Sequence, residues 1–207
     1  MRAATDILDI SPVIPVVVLD DATHAAPLAQ ALQRGGIRTI EVTLRTPVAL
    51  EAIERINDEV EGITVGAGTI TQPGQAKEAA RAGAGYLVTP GTTDRLLDEV
   101  ADTELPALPG VSTVSEALRL AERGMRALKF FPAEPAGGVP YLKSLSSPLP
   151  ELSFCPTGGI TPDNAGRYLA LPNVRCVGGS WLAPKEALAK GDWGHIEALA
   201  RQAVALG

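Results

Sequence analysis

The chain has 207 residues, 45% of them hydrophobic, and a formal net charge of −6. That length suits a single domain, spanning 1–207, with a sizeable core, and the periodic apolar content argues against disorder. An acidic balance without a basic stripe argues against a nucleic-acid partner. With no signal-like start and no transmembrane-length apolar run, no membrane partner and a cytoplasmic location are expected. Cys155 and Cys176, the two cysteines, lie in apolar strand-like runs and are expected as reduced core thiols rather than a disulfide.

The first segment, about Arg2 to Ile10, carries Ile7, Leu8 and Ile10 and is predicted as a short helix under the fold. An apolar run followed by a helical pattern then occurs eight times. Strand Val13–Leu19 precedes a helix over His24–Arg34, and Ile37–Thr43 precedes Pro47–Asn57. Ile63–Ala67 is followed by Pro73–Ala82, Gly85–Val88 by Thr93–Val100, and Leu105–Leu108 by Val114–Arg123. Ala127–Phe131 leads to Val139–Leu145, Leu152–Cys155 to Pro162–Leu169, and Val174–Val177 to the last long helix, Trp193–Val204. Such alternation implies parallel pairing with right-handed crossovers. Eight units in this length point to an α/β fold of the closed (β/α)₈, or TIM, barrel type. The alternative is an open doubly wound sheet, but no G-x-G-x-x-G follows the first strand. Gly35-Gly36, Gly62, Gly83 and Gly124 precede strands, where glycine suits the left-handed end of a helix.

One lysine stands out. Only five occur in the chain, and Lys129 sits inside the apolar run Ala127-Leu128-Lys129-Phe130-Phe131-Pro132. An ammonium is costly to bury unless it is paired or sheds its proton, so Lys129 is a candidate Schiff-base nucleophile. Alternate strand residues point to opposite faces. Parity places Lys129 with Ala127 and Phe131 inside the barrel, Leu128 and Phe130 outside. On the second strand it places Thr39, Glu41 and Thr43 inside. Glu41 can therefore face Lys129, as a general acid or base or as the partner in a purely structural buried pair. Arg45, at the end of the same strand, can clamp a carboxylate or serve only as a rim arginine.

Other strand ends carry small residues: Gly66-Ala67-Gly68-Thr69, Thr89-Pro90-Gly91 and Pro109-Gly110. The last two strands end in Thr157-Gly158-Gly159 and Gly178-Gly179-Ser180, where barrels frequently bind phosphate. These loops suit a phosphate or a second carboxylate. His24 and His195 lie on helical segments and are expected to be far apart, neither with a partner at metal-ligand spacing. Asp20-Asp21 does not make a metal motif by itself, so no metal is expected. Trp181 and Trp193 read as packing residues.

Taken together, Glu41-Val42-Thr43-Leu44-Arg45-Thr46, Gly66-Ala67-Gly68-Thr69, Lys129-Phe130-Phe131-Pro132-Ala133-Glu134, Cys155-Pro156-Thr157-Gly158-Gly159-Ile160 and Val177-Gly178-Gly179-Ser180-Trp181 resemble the bacterial KDPG/KHG aldolase family. The motifs fall on five strand ends and span nearly the whole chain. The resemblance implies a metal-independent, cofactor-free class I aldolase on a (β/α)₈ barrel, assembled as a homotrimer. It implies Lys129 as the Schiff-base residue, Glu41 as the proton-transfer residue and Arg45, with Thr69 and Pro90, at the substrate carboxylate. Phe131 falls beside the imine and Thr157 near the substrate hydroxyl. Gly158, Gly159, Gly179 and Ser180 correspond to the phosphate site. The implied reaction cleaves 2-dehydro-3-deoxy-6-phospho-D-gluconate to pyruvate and D-glyceraldehyde 3-phosphate. Neither 4-hydroxy-2-oxoglutarate nor the phosphogalactonate epimer is separated from it by these residues. Asp20 and Asp21 stand where some relatives carry basic residues; they weaken attraction for the distal phosphate or simply face solvent. A phosphosugar isomerase or epimerase, or a non-catalytic anion-binding barrel, are the readings from other classes.

Overall fold

Short buried strands alternate with amphipathic helices along the chain, and each strand passes its apolar outer face to the helix that follows. The computed structural model describes residues 4–207, with side chains described from residue 6. Helix α1 (Ala4–Leu8) is followed by β1 (Val13–Val17), a 3₁₀ turn (Ala22–His24), α2 (Ala25–Arg34), β2 (Thr39–Thr43), α3 (Ala49–Glu59), β3 (Thr64–Gly68) and α4 (Gln75–Arg81). Next come β4 (Tyr86–Val88), α5 (Asp94–Asp102), β5 (Ala107–Leu108), β6 (Gly110–Val111), α6 (Val114–Glu122), β7 (Ala127–Phe130) and α7 (Gly138–Leu145). The chain ends with β8 (Ser153–Pro156), α8 (Pro162–Leu169), β9 (Val177–Gly179), α9 (Lys185–Lys190) and α10 (Trp193–Val204).

The sheet is parallel and forms two arcs, β5-β4-β3-β2-β1-β9 and β6-β7-β8. At one junction β5 and β6 are halves of a single barrel strand split at Pro109, which has no N–H to donate. The Pro109 carbonyl still accepts from Lys129 N at 3.0 Å, so β7 keeps its register across the break. At the other junction, bridges from Phe154 to Val174 and from Thr157 to Gly178 bring the β8 strand against the β9 segment. The barrel architecture expected from the sequence is therefore present, with a ladder thinned at two places.

Two apolar groups hold it together. Ile40, Val42, Leu128 and Phe130 face outward into a continuous layer with helix residues such as Leu28, Leu32, Ile53 and Ile196. Ile14, Tyr86, Val88, Leu108, Ala127, Cys155 and Cys176 fill the interior, and Ile7 and Leu8 of α1 close it from below. The helix expected under the barrel is thus observed over its described part; Arg2 lies outside the described residues.

Several helix starts are fixed by side chains. Thr113 and Glu116 form a reciprocal capping box on α6, and Thr161 and Asn164 form one on α8, with Pro162 in its first turn. These satisfy amide donors that a helix cannot satisfy internally. The Glu116 carboxyl is held below its ordinary value: partial burial raises it, and hydrogen bonds from Ser112 and Thr113 more than reverse the rise.

The sequence expectations need correction in four places. The first, second, fourth and sixth strands are shorter than the apolar runs, the third and seventh are shifted by one residue, and the last begins at Val177, with Val174 reduced to a bridge. The fifth strand continues past Leu108 to Val111. Helix α9 was not anticipated, because Lys185–Lys190 is too short for a clear periodic signal. Gly36, Gly62, Gly83 and Gly124 have positive φ as expected. Gly35 does not, with φ −75°. It is small for packing instead: a Cβ there would lie 2.3 Å from Ala200 Cβ and 2.7 Å from the Glu197 carbonyl oxygen on α10.

Gly35→Ala should therefore push α10 off α2 and destabilise the fold by about 1–3 kcal/mol, read as a lower urea midpoint at unchanged slope. Glu116→Gln should lower the midpoint at neutral pH. A carboxyl depressed in the folded state contributes stability above its unfolded pKa and loses it as pH falls through the folded value. The gap between Glu116→Gln and the parent should therefore close in buffers below the usual glutamate range.

Candidate active site

Polar side chains enter the barrel interior from β2, as Thr39, Glu41 and Thr43, and from β7, as Lys129 above the apolar Ala127. Glu41 is 3% exposed and Lys129 5%, so both charges are withdrawn from water. Lys129 Nζ donates to Glu41 Oε1 at 3.1 Å and to Oε2 at 3.4 Å. The Phe131 ring covers the ammonium, with its centroid 5.6 Å from Nζ, close enough for a cation–π attraction.

The carboxylate fits because β3 runs beside it as Gly66-Ala67-Gly68. Gly68 pairs with Thr43 and Gly66 with Glu41. A Cβ on Gly68 would stand 2.1 Å from Glu41 Oε1. Beneath Glu41, Thr39 Oγ1 donates to the Thr64 carbonyl at 3.2 Å and lies 2.9 Å from the Tyr86 hydroxyl. Either hydroxyl can be the donor in that second bond. Tyr86 in turn occupies space left by Gly66, where a Cβ would meet its ring at 2.3 Å. Burial pushes the Tyr86 hydroxyl well above the ordinary tyrosine value; the Thr39 hydrogen bond opposes this and the Glu41 charge adds to it. The Cys176 thiol is pushed up by its hydrogen bond to Cys155 and by burial. Both cysteines are free and buried.

Arg45 leaves the end of β2 into solvent, and its Nε donates to Thr69 Oγ1 at 3.2 Å. Thr69 has φ 60°, a strained backbone for a β-branched residue, and that bend sits where its hydroxyl receives the guanidinium. Pro90 follows β4 and presses on the split strand: a Cβ on Gly110 would be 2.3 Å from the Pro90 carbonyl carbon. Arg45 and Thr69 are thus together at one side of the mouth, and Lys129, Glu41 and Phe131 are together at its centre.

The last two strand ends form the opposite side. Thr157 is buried, and a Cβ on Gly178 would lie 2.2 Å from its Oγ1. The Thr157 carbonyl accepts from Ala133 N at 2.8 Å and the Gly158 carbonyl from Glu134 N at 3.1 Å. In a trans peptide the N–H points opposite to the carbonyl. The Gly158 and Gly159 amides therefore point away from the β7–α7 loop, toward the side on which β9 runs. Gly158 and Gly159 have φ of 100° and 80°, a turn open to glycine and strained for other residues. Gly179 ends β9, with the Trp181 ring 1.9 Å from where its Cβ would be, and Ser180 follows with its side chain exposed.

A family model for KDPG and KHG aldolase matches residues 4–199. The chain belongs to the KDPG/KHG aldolase family. It is 49% identical over 203 residues to the 2-dehydro-3-deoxy-phosphogluconate aldolase of Pseudoalteromonas atlantica, covering 98% of this chain and 94% of that protein. To the KHG/KDPG aldolase of Escherichia coli K12 it is 48% identical over 202 residues, covering 98% and 95%. The crystal structure of KDPG aldolase from Legionella pneumophila, with pyruvate captured as a covalent carbinolamine, matches with a TM-score of 0.95 at 44% identity, over 98% of each chain.

For this family member, the residues set aside in the sequence are placed as follows. Asp21 caps the 3₁₀ turn by accepting from Thr23 N, and Asp20 and Asp21 are both exposed. Hydrogen bonds from the Thr23 hydroxyl and N–H hold the Asp21 carboxyl below its usual value. His24 and His195 are not on distant parts of the fold: His24 packs edge-on against Trp193, two residues before His195, with ring centroids 5.6 Å apart. Among the described residues no group of three or more His, Cys, Asp or Glu side chains could hold a metal ion, and no helix is long and apolar enough to cross a membrane. Tyr86 was not singled out from the sequence, and Gly68 and Gly178 stood in the strand-end motifs without the particular side chains they make room for. Strand parity carries a signal for Tyr86, which it sends inward with Val88. The two glycines become visible only once their cross-strand neighbours are known.

Gly68→Ala should force the Glu41 carboxylate off Lys129 while leaving the helices untouched. Aldol cleavage should fall about 100-fold in kcat, measured by pyruvate release; a kcat within threefold of the parent would show that Glu41 needs no such space.

Proposed function

We propose that Lys129 forms an imine with the C2 ketone of 2-dehydro-3-deoxy-6-phospho-D-gluconate and that the chain cleaves this substrate to pyruvate and D-glyceraldehyde 3-phosphate. The observation that carries the reading is the 3.1 Å contact between two buried, oppositely charged side chains at the active end of the barrel. That contact gives Lys129 a route to lose a proton to Glu41 and attack the ketone as a neutral amine. Glu41 returns that proton to the departing hydroxyl, and loss of water leaves a protonated imine. Glu41, through a water, takes the C4 hydroxyl proton. The C3–C4 bond breaks, its electron pair moves into the imine, and the aldehyde departs. Protonation of the enamine at C3 and hydrolysis then release pyruvate and restore Lys129. Phe131 covers the reacting nitrogen and shields it from bulk water.

Arg45, with Thr69 beside it, is assigned together with Pro90 at the end of β4 to the pyruvyl carboxylate; a guanidinium already oriented by a hydroxyl loses little on forming a two-point contact. Thr157 is assigned to the substrate hydroxyls. The Gly158 and Gly159 amides, with Gly179 and Ser180 across from them, are assigned to the distal phosphate. Relatives named for 2-dehydro-3-deoxy-phosphogluconate support this choice, and the E. coli relative's name supports 4-hydroxy-2-oxoglutarate as a second substrate of the same site. The chain is further proposed to act as one domain over 1–207, in a cytoplasmic homotrimer, with no cofactor.

Borohydride added with pyruvate should trap one pyruvyl group on Lys129, located by peptide mass. Lys129→Ala should abolish trapping and cleavage. Glu41→Gln should reduce cleavage by about 10²–10⁴-fold. An active protein that yields no adduct would favour an isomerase-type chemistry, and a protein without turnover on any 2-oxo-3-deoxy acid would favour a binding role. Comparing kcat/KM for the phosphogluconate substrate, its C4 epimer and 4-hydroxy-2-oxoglutarate ranks transition-state stabilisation directly; equal values would defeat the preference for the first.

A further inference from the structure

The loop that carries Gly158 and Gly159 is held from behind by a contact that no step above uses. Glu134 follows the lysine strand, on the β7–α7 loop, and its backbone N–H donates to the Gly158 carbonyl at 3.1 Å. Its side chain lies across Gly159, where a Cβ would come within 2.7 Å of Glu134 Cγ. The carboxylate then accepts a short hydrogen bond from the Tyr168 hydroxyl, on α8. Tyr168 is fully buried and Glu134 is exposed, so the bond ties a surface loop to a fixed point in the helix layer. Burial and the neighbouring carboxylate both push the Tyr168 hydroxyl up, and it stays a donor at neutral pH.

Space is made for this tie. Gly138, at the start of α7, has φ 57° and is buried; a Cβ there would stand 3.0 Å from the Tyr168 hydroxyl and 3.3 Å from Glu134 Oε1. The third carbonyl of the loop is held as well, since Asn164 Nδ2 donates to the Gly159 oxygen at 3.0 Å. The carbonyls of residues 157, 158 and 159 are thus turned to protein donors, and two of those donors belong to the segment Ala133-Glu134 that Tyr168 anchors.

We propose that the Tyr168–Glu134 hydrogen bond positions the Gly158–Gly159 amides for the distal anion of the substrate, and so sets the preference for a phosphorylated substrate without taking part in the imine chemistry. Tyr168 and Glu134 are positioning residues, acting through the loop. The tie also fixes the Glu134 carboxylate, which left free beside Gly159 would repel an incoming phosphate. This inference rests on the assignment of that loop to the distal anion.

The test compares 2-dehydro-3-deoxy-6-phosphogluconate with its unphosphorylated counterpart, 2-dehydro-3-deoxygluconate, on the full chain. In Tyr168→Phe and Glu134→Ala the ratio of kcat/KM for the phosphorylated over the unphosphorylated substrate should fall about 10-fold, the loss of one charged hydrogen bond, and should appear in KM for the phosphorylated substrate. Glu134→Gln keeps an acceptor for the tyrosine and should hold the ratio to within about threefold of the parent. Because Glu134 is exposed, its variants test the idea even where Tyr168→Phe folds poorly. An unchanged ratio in Tyr168→Phe and Glu134→Ala, or an equal loss on both substrates, overturns the proposal and leaves the anion loop standing. A parent enzyme with no preference for the phosphorylated substrate removes the anion loop and the proposal together.

Discussion

Everything in the upper barrel is arranged around one contact, the ion pair between Lys129 and Glu41. Withdrawing an ammonium and a carboxylate from water is expensive, and their attraction offsets the cost only with good geometry and further support. That support comes from all sides. Glycines on β3 admit the carboxylate, the Thr39–Tyr86 pair fills the layer below it, and Phe131 lies over the ammonium. A hydrophobic pair of similar volume could hold this position as stably. A contact whose removal of one partner leaves a bare buried charge suits a site that must hand protons back and forth.

The same economy divides the barrel along its axis. The interior cluster that contains Tyr86 and Val88 is largely apolar and ends in Ile7 and Leu8, while β2 and β7 send Thr39, Glu41, Thr43 and Lys129 inward. Outside, an unbroken apolar layer ties every strand to its helices. Stability and chemistry are therefore supplied by different residues of the same strands, alternating along each one. β2 shows this most simply: Ile40 and Val42 hold helices, while Thr39, Glu41 and Thr43 face the interior.

That alternation is why so much was legible beforehand. The facing of Glu41 and Lys129 needed only strand parity, and eight repeats of strand and helix sufficed for the barrel. Side-chain chemistry offered Arg45 for a carboxylate and barrel position offered the last two strand ends for an anion, and the family resemblance favoured these over the ordinary structural explanations of a rim arginine and paired glycines. Other features were hidden for identifiable reasons. The break at Pro109 depends on hydrogen bonding across two neighbours. Gly35, Gly68 and Gly178 are small because of atoms distant in sequence. Tyr168 and Glu134 are 34 residues apart, one on a helix and one on a loop, and no local pattern joins them.

The plug formed by Ile7 and Leu8 has a kinetic meaning. A barrel stoppered at its floor is a blind well, so entry and exit share one opening. For the proposed cleavage at Lys129, the fragment released near the rim and the one held as the imine leave through the same mouth. A five-residue helix at the far end of the barrel thus leaves the mouth as the route in and out of the proposed site.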